Sequence, residues 1–233
     1  MQLLMNSDIV DRLQPFCDDP PHDLVSHFGA ASLPNDPELF INLLKLDESL
    51  DYTAGIQDTF IGEPLGLVVL DDANNSNPFC YVTRGPARGL ILHFKHDDAS
   101  AFAFSSLVRF LDAVGNAIKT HQTIDSLIFD TDFPSVPQSE LTVYLQHQCE
   151  HDGIAEVICV LISLLREPPP DLVDRLLAHD DFYVRESLAD FLALNPRESL
   201  LPAATILSND PHAQVARPGK RAMDAILQLK EPR

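Results

Sequence analysis

The sequence has no tryptophan and few cations: Lys and Arg total 16 against 35 Asp and Glu, for a formal net charge of -19. A surface so short of positive charge is repelled by nucleic acid and by anionic membrane, which argues against a direct nucleic-acid role and favours a basic partner. The same acidity also serves plain solubility. No apolar run approaches the roughly 20 residues needed to cross a bilayer. The nearest, Ile154 to Leu165, is bounded by Asp152 and Arg166. The opening stretch MQLLMNSDIVDRL lacks a basic n-region, a long apolar core and a small-residue cleavage site, so a cytoplasmic location is expected. Cys17, Cys80, Cys149 and Cys159 are scattered without a CxxC pair, which points to reduced thiols and not to a disulfide framework or a zinc knuckle.

Catalytic signatures are missing too. There is no GxSxG, no phosphate-binding P-loop and no GxGxxG after a strand; Gly62 and Gly66 are separated by Glu-Pro-Leu and read as turn residues. His147, Cys149 and His151 form an H-x-C-x-H run whose residue types suit a soft metal. Two-residue steps on a helix point to nearly opposite sides, so the three cannot converge while the helix persists. His93 and His96 have no third ligand spaced with them. His-Asp pairs at His96-Asp97, His151-Asp152 and His179-Asp180 invite a phosphohydrolase reading, but each falls at a strand end or an inter-helix turn, where Asp is expected as a cap. The expectation is a protein that is not an enzyme and uses no cofactor and no metal.

What is present is organised around Gly62 to Leu111. Three short apolar runs, Leu65 to Leu70, Phe79 to Thr83 and Gly89 to Phe94, are punctuated by turn chemistry at Asp71 to Asn77 and Arg84 to Arg88, the pattern of an antiparallel meander. Leu107, Phe110, Leu111 and Val114 then make one apolar helical stripe able to cover the sheet. Upstream, helices are expected at Asp8 to Cys17, His22 to Phe28 and Glu38 to Leu46, the last started by Asn35 or Asp36 with Pro37 in its first turn. Leu46 to Thr59 reads as acidic and irregular. The proline-bearing stretch from Thr123 to Glu140 marks a boundary.

Beyond it the pattern changes to helix pairs: Gln138 to Cys149 with Gly153 to Leu165, Asp171 to His179 with Tyr183 to Leu194, and Arg197 to Ser208 with Arg217 to Leu229. Asp152, Asp180 and Asp210 recur at a near-constant interval, each between two amphipathic helices, where an aspartate can cap the second helix. Val184 and Val215 stand at or just before those second helices, with Arg185 and Arg217 close behind. Pro218 and Gly219 disturb the last unit. From Val215 onward the charge inverts, with Arg217, Lys220, Arg221, Lys230 and Arg233 against Asp224 and Glu231.

The glycine-spaced entry (Gly55, Gly62, Gly66), the acidic strand turn, the LHFKHDD strand end and the FSSLVRFL helix resemble the SUKH superfamily of bacterial toxin-immunity domains, over about half the chain. The helix pairs look like HEAT-type repeats. Together these imply an α+β protein: a SUKH-like meander domain at 1–135 and HEAT-like helical pairs at 136–233. The resemblance implies an immunity protein that neutralises a basic bacterial protein toxin by stoichiometric occlusion; the alternative is a scaffold or adaptor that binds other proteins through its helical half. The residues expected to meet a basic partner are Asp47, Glu48 and Asp51 just before the sheet, Asp71 and Asp72 at its first turn, and Asp97 and Asp98 at its last strand end. Phe79 or Tyr81 is a candidate apolar anchor.

Overall fold

The computed structural model describes residues 2–72, 76–124, 136–151 and 153–229. Two compact units divide the chain, Met1–Val136 and Pro137–Arg233, and the fold class is α+β. The first unit opens with α1 (Gln2–Leu13) and α2 (His22–Phe28). α1 begins before the expected Asp8 and stops at Leu13, because Pro15 lacks an amide donor and disfavours helical backbone in the residue before it.

The helix expected over Glu38 to Leu46 does not form. Its start signal operates, since Asp36 Oδ1 accepts from the Glu38 amide at 3.2 Å with Pro37 in the first turn, but only a single 3-10 turn follows. Phe40 then adopts a left-handed conformation (φ 56°) and folds the chain into a hairpin of β1 (Asn35–Asp36) and β2 (Ile41–Asn42). Leu44 donates to the Leu70 carbonyl at 2.9 Å and Asp72 to that of Asn42 at 3.0 Å, so pairing with a distant strand overrides the local helical signal. The next stretch departs the other way. Leu46–Gln57, expected to be irregular, is helix α3, whose first turn is closed by Glu48 accepting from the Lys45 amide at 3.2 Å.

A short α4 (Gly62–Leu65) leads into a four-stranded antiparallel meander: β3 (Leu67–Val69), β4 (Phe79–Val82), β5 (Ile91–His93) and β6 (Ala101–Phe104). Three strands match the expected runs. The fourth, of the sequence AFAF, was not anticipated. Helix α5 (Leu107–Thr120) follows, capped by Ser106 accepting from the Arg109 amide at 3.3 Å. Its stripe packs on the sheet: Phe110 is fully buried, with its ring centroid 5.2 Å from that of Phe79 and 5.5 Å from that of Phe104. Each such side chain contributes roughly 1.5–3 kcal/mol by leaving water. Phe79 and Tyr81 both lie in this core, so neither is an outward anchor. The opposite sheet face is buried as well, at Leu67, Val69, Cys80, Val82 and Leu92, which explains continuous apolar runs where a half-exposed sheet would alternate.

The second unit contains α6 (Gln138–Glu150), α7 (Ala155–Ile162), α8 (Pro170–Leu177), α9 (Phe182–Leu194), α10 (Leu201–Ser208) and α11 (Ala213–Gln228). Helices α6, α8 and α10 pack in one row and α7, α9 and α11 in another, each pair contributing one helix to each row. Val184 and Val215 are fully buried between them. The recurring aspartates act differently from expectation. The cap of α9 is Asp181, accepting from the Tyr183 amide at 2.7 Å, and not Asp180. Asp210 accepts from Arg185 Nε at 2.8 Å and so ties one helix pair to the next; Asp152 lies outside the described residues. Helix α11 begins earlier than expected and runs through Pro218. Gly219 brings it against α10 so closely that a Cβ there would stand 2.5 Å from the Leu207 carbonyl carbon.

Candidate protein-binding rim

Sheet register decides which of the acidic residues share a surface. Val69 pairs with Cys80, Phe79 with His93, and His93 with Ala101, so the β3–β4 and β5–β6 turns leave the same end of the sheet. Asn77 binds the two turns together: its Oδ1 accepts from the His96 amide at 3.0 Å and its carbonyl lies 3.1 Å from His93 Nε2. Helix α3 runs antiparallel to β3 alongside it. Near the helix start Ser49 Oγ donates to the Val69 carbonyl at 2.5 Å, while at its end Gln57 Nε2 donates to the Leu67 carbonyl at 2.8 Å. The first turns of α3 therefore lie at the same end as the two loops.

That end carries Asp47, Glu48 and Asp51 from α3, Asp72 from the first turn, and Asp97 and Asp98 from the second. All but the half-buried Asp72 are exposed. Asp72 Oδ2 accepts from Tyr52 Oη at 2.6 Å, and that bond raises the Tyr52 pKa. Asp98 is held below the usual carboxylate range by the Ala99 amide first and then by Lys95, whose ammonium is 3.3 Å away. Arg12 pairs with Asp47. Asp47 and Glu48 also stabilise the helix start through its dipole.

Asp71 departs from the expected rim. It is 1 % exposed, pairs in a β-bridge with Leu43, and accepts from the Phe79 amide at 2.6 Å, so it holds the turn from inside. Its sequence neighbour Asp72 gave no hint of this, because the two differ only in which side of the strand they face.

Sequence reading missed two aromatic side chains on this edge. Tyr52 is 48 % exposed, and Phe40, which extends past Asn42 at the tip of the β1–β2 hairpin, is 62 % exposed. Reading its helix as irregular hides Tyr52; the acidic first turn, Asp47 and Glu48, is the available start signal. Nothing local marks Phe40, which sits at the left-handed turn of the β1–β2 hairpin. The edge thus offers carboxylates from three segments beside two exposed rings.

The other candidates are placed as follows. The His147 and His151 rings stack with centroids 4.3 Å apart, and His151 Nδ1 lies 3.0 Å from the His147 carbonyl. Burial raises the pKa of Cys149, which favours the thiol over the metal-binding thiolate. Among the described residues no three His, Cys, Asp or Glu side chains gather so as to hold a metal ion, and no helix is long and apolar enough to cross a membrane. His96 lies 2.9 Å from Asp97 at the exposed rim, while His179 Nδ1 accepts from the Asp181 amide at 3.1 Å in an inter-helix turn. Of the basic tail, Arg217, Lys220 and Arg221 are exposed, with Arg221 2.7 Å from Asp190; Lys230 to Arg233 lie outside the described residues. Comparisons with protein-family models, curated proteins and solved structures find no match for the chain.

Proposed function

We propose that the protein is a stoichiometric binding protein that neutralises a basic protein toxin at the acidic end of its sheet, in the manner of an immunity protein. The observation carrying this reading is the convergence of Asp47, Glu48, Asp51, Asp72, Asp97 and Asp98 on one end of the meander through register and helix direction. Carboxylates from three segments steer a cationic surface and fix its register, while Phe40 and Tyr52 supply apolar contact. Occlusion requires no turnover, cofactor or metal.

The test compares the full-length protein with a variant carrying Asp72→Lys, Asp97→Lys and Asp98→Lys, each tagged and used for capture from source cells in moderate salt. Asp71 is left native because its burial makes it a folding residue. One basic partner, bound one to one and weakened on the order of tenfold to a hundredfold in the variant, supports the reading. A partner that binds the variant as well as the parent, but is lost on Tyr183→Ala with Glu186→Lys in α9, overturns it in favour of an adaptor working through the helix pairs.

A further inference from the structure

The two margins of the meander are treated differently. Along β3 lies α3, whose Ser49 and Gln57 side chains are spent on the Val69 and Leu67 carbonyls. At the other margin is β6, with β5 on one side and, among the described residues, no strand on the other. Register shows which of its groups face outward. On β5, Phe94 donates to the Pro78 carbonyl at 2.9 Å and Leu90 accepts from the Val82 amide at 3.0 Å, so both turn their backbone toward β4. Alternation along the strand then turns Ile91 and His93 toward β6. Ala101, paired with His93, faces β5 in return, and its neighbours Ser100 and Phe102 direct their amides and carbonyls to the open side. Outside the ladder with β5, neither bonds to any described backbone group. Ala101 is exposed and Phe102 half-buried, so this stretch is within reach of a partner.

An unpaired row of donors and acceptors invites an added strand, and natural edges are blunted by charge, proline or a bulge. The strand β6, Ala-Phe-Ala-Phe, carries neither charge nor proline. Its bulge places the extra residue at Ala103, which leaves the regular stretch at Ser100 to Phe102. That stretch adjoins the acidic rim: Ser100 Oγ accepts from the Lys95 amide at 3.1 Å and closes the turn carrying the exposed Asp97 and Asp98. The charge selects the occupant. A second copy of the chain would bring a further -19 against this surface, whereas a cationic segment is drawn to it. We propose that β6 accepts an extended segment of a basic partner as a fifth strand, with main-chain bonds to Ser100 and Phe102 and with lysine or arginine beside Asp97 and Asp98. The partner's charge rests on the binding reading above; the mode of attachment is read from the sheet edge, where backbone bonds give affinity and the carboxylates steer.

The probe is a fluorescent peptide, acetyl-Lys-Lys-Thr-Val-Thr-Val-Thr, titrated into the full-length protein by anisotropy while backbone amides are followed by NMR hydrogen exchange. In the free protein the Ser100 and Phe102 amides should exchange readily and those of Ile91 and His93 slowly; the peptide should bind saturably and slow the first two. N-methylating one alternate set of peptide amides should weaken binding at least about tenfold, and methylating the other set should not. Phe102→Pro removes an outward donor and spares the ladder, while Phe102→Ala loses the ring and keeps the donor, so the proline variant should bind at least about tenfold more weakly than the alanine variant. The exchange and N-methyl measurements use the parent chain and stand whether or not Phe102→Pro folds. A slowly exchanging Phe102 amide in the free protein, no saturable binding, or equal weakening by both methylated sets overturns the proposal. The captured partner separates it from the reading of the rim. Loss of that partner in the triple lysine variant, with equal binding by Phe102→Pro and Phe102→Ala, overturns the added strand alone; peptide pairing on β6 with no basic partner captured upholds the strand and overturns the toxin reading.

Discussion

Replacing His27 by leucine should remove a defined part of the protein's acid sensitivity. The imidazole is 5 % exposed, and desolvation, partly opposed by Asp23, lowers its pKa from 6.5 to about 4. Between these values the unfolded chain binds a proton that the folded chain refuses, so stability rises with pH across this window. The contribution is fully present above 6.5 and is lost as pH falls toward 4. Over the whole window it amounts to about 3 kcal/mol, of which about 2 kcal/mol is already lost at pH 5. Carboxylates titrating elsewhere act equally on both proteins and cancel in the difference. Urea unfolding followed by circular dichroism at pH 7.5 and pH 5 should show the parent losing about 2 kcal/mol more than His27→Leu. In parallel, the His27 ring protons should titrate near pH 4. A gap between the two proteins that is independent of pH, or a His27 that titrates near its ordinary value, would refute the argument.

Two glycines are required by close approach. A Cβ at Gly62 would lie 1.9 Å from the Ile56 carbonyl oxygen, so Gly62→Ala should destabilise the meander unit by about 2–4 kcal/mol in denaturant titrations. Gly219→Ala should do the same to the helical unit, since its neighbour across the interface is the α10 backbone and cannot rotate away. Arg185 donates to Asp210 and also, through Nη1, to the His179 and Asp180 carbonyls at 2.7 and 2.9 Å. Arg185→Ala should cost about 2–3 kcal/mol, and a double-mutant cycle with Asp210→Asn should show strong coupling; additive losses would mean the pair does not join the helix pairs. Because Arg185 holds the Asp210 pKa down, the stability from this pair is present above the ordinary carboxylate pKa and fades as pH falls through the lowered one.

Sequence alone determined the elements whose signals are local. The apolar runs at Leu67–Val69, Phe79–Val82 and Ile91–His93 and the stripe of Leu107, Phe110 and Val114 fixed the meander and its covering helix, because burial follows directly from side-chain type and periodicity. The six helices of the second unit were legible for the same reason. Tertiary structure decided the rest. Glu38 to Leu46 carries a sound helix start, yet becomes a turn and a strand because Leu43 and Leu44 find partners at Asp71 and Leu70, far along the chain. Leu46–Gln57 becomes a helix because Ser49, Thr53 and Gln57 are satisfied on β3. The acidic residues were visible one by one, but their convergence depends on strand register and on the direction of α3, which composition does not encode. Asp71 and Asp72 make the point most sharply: identical side chains in adjacent positions, one sealed beneath the turn and one presented at the rim, separated only by the alternation of a strand that exists through its long-range pairing.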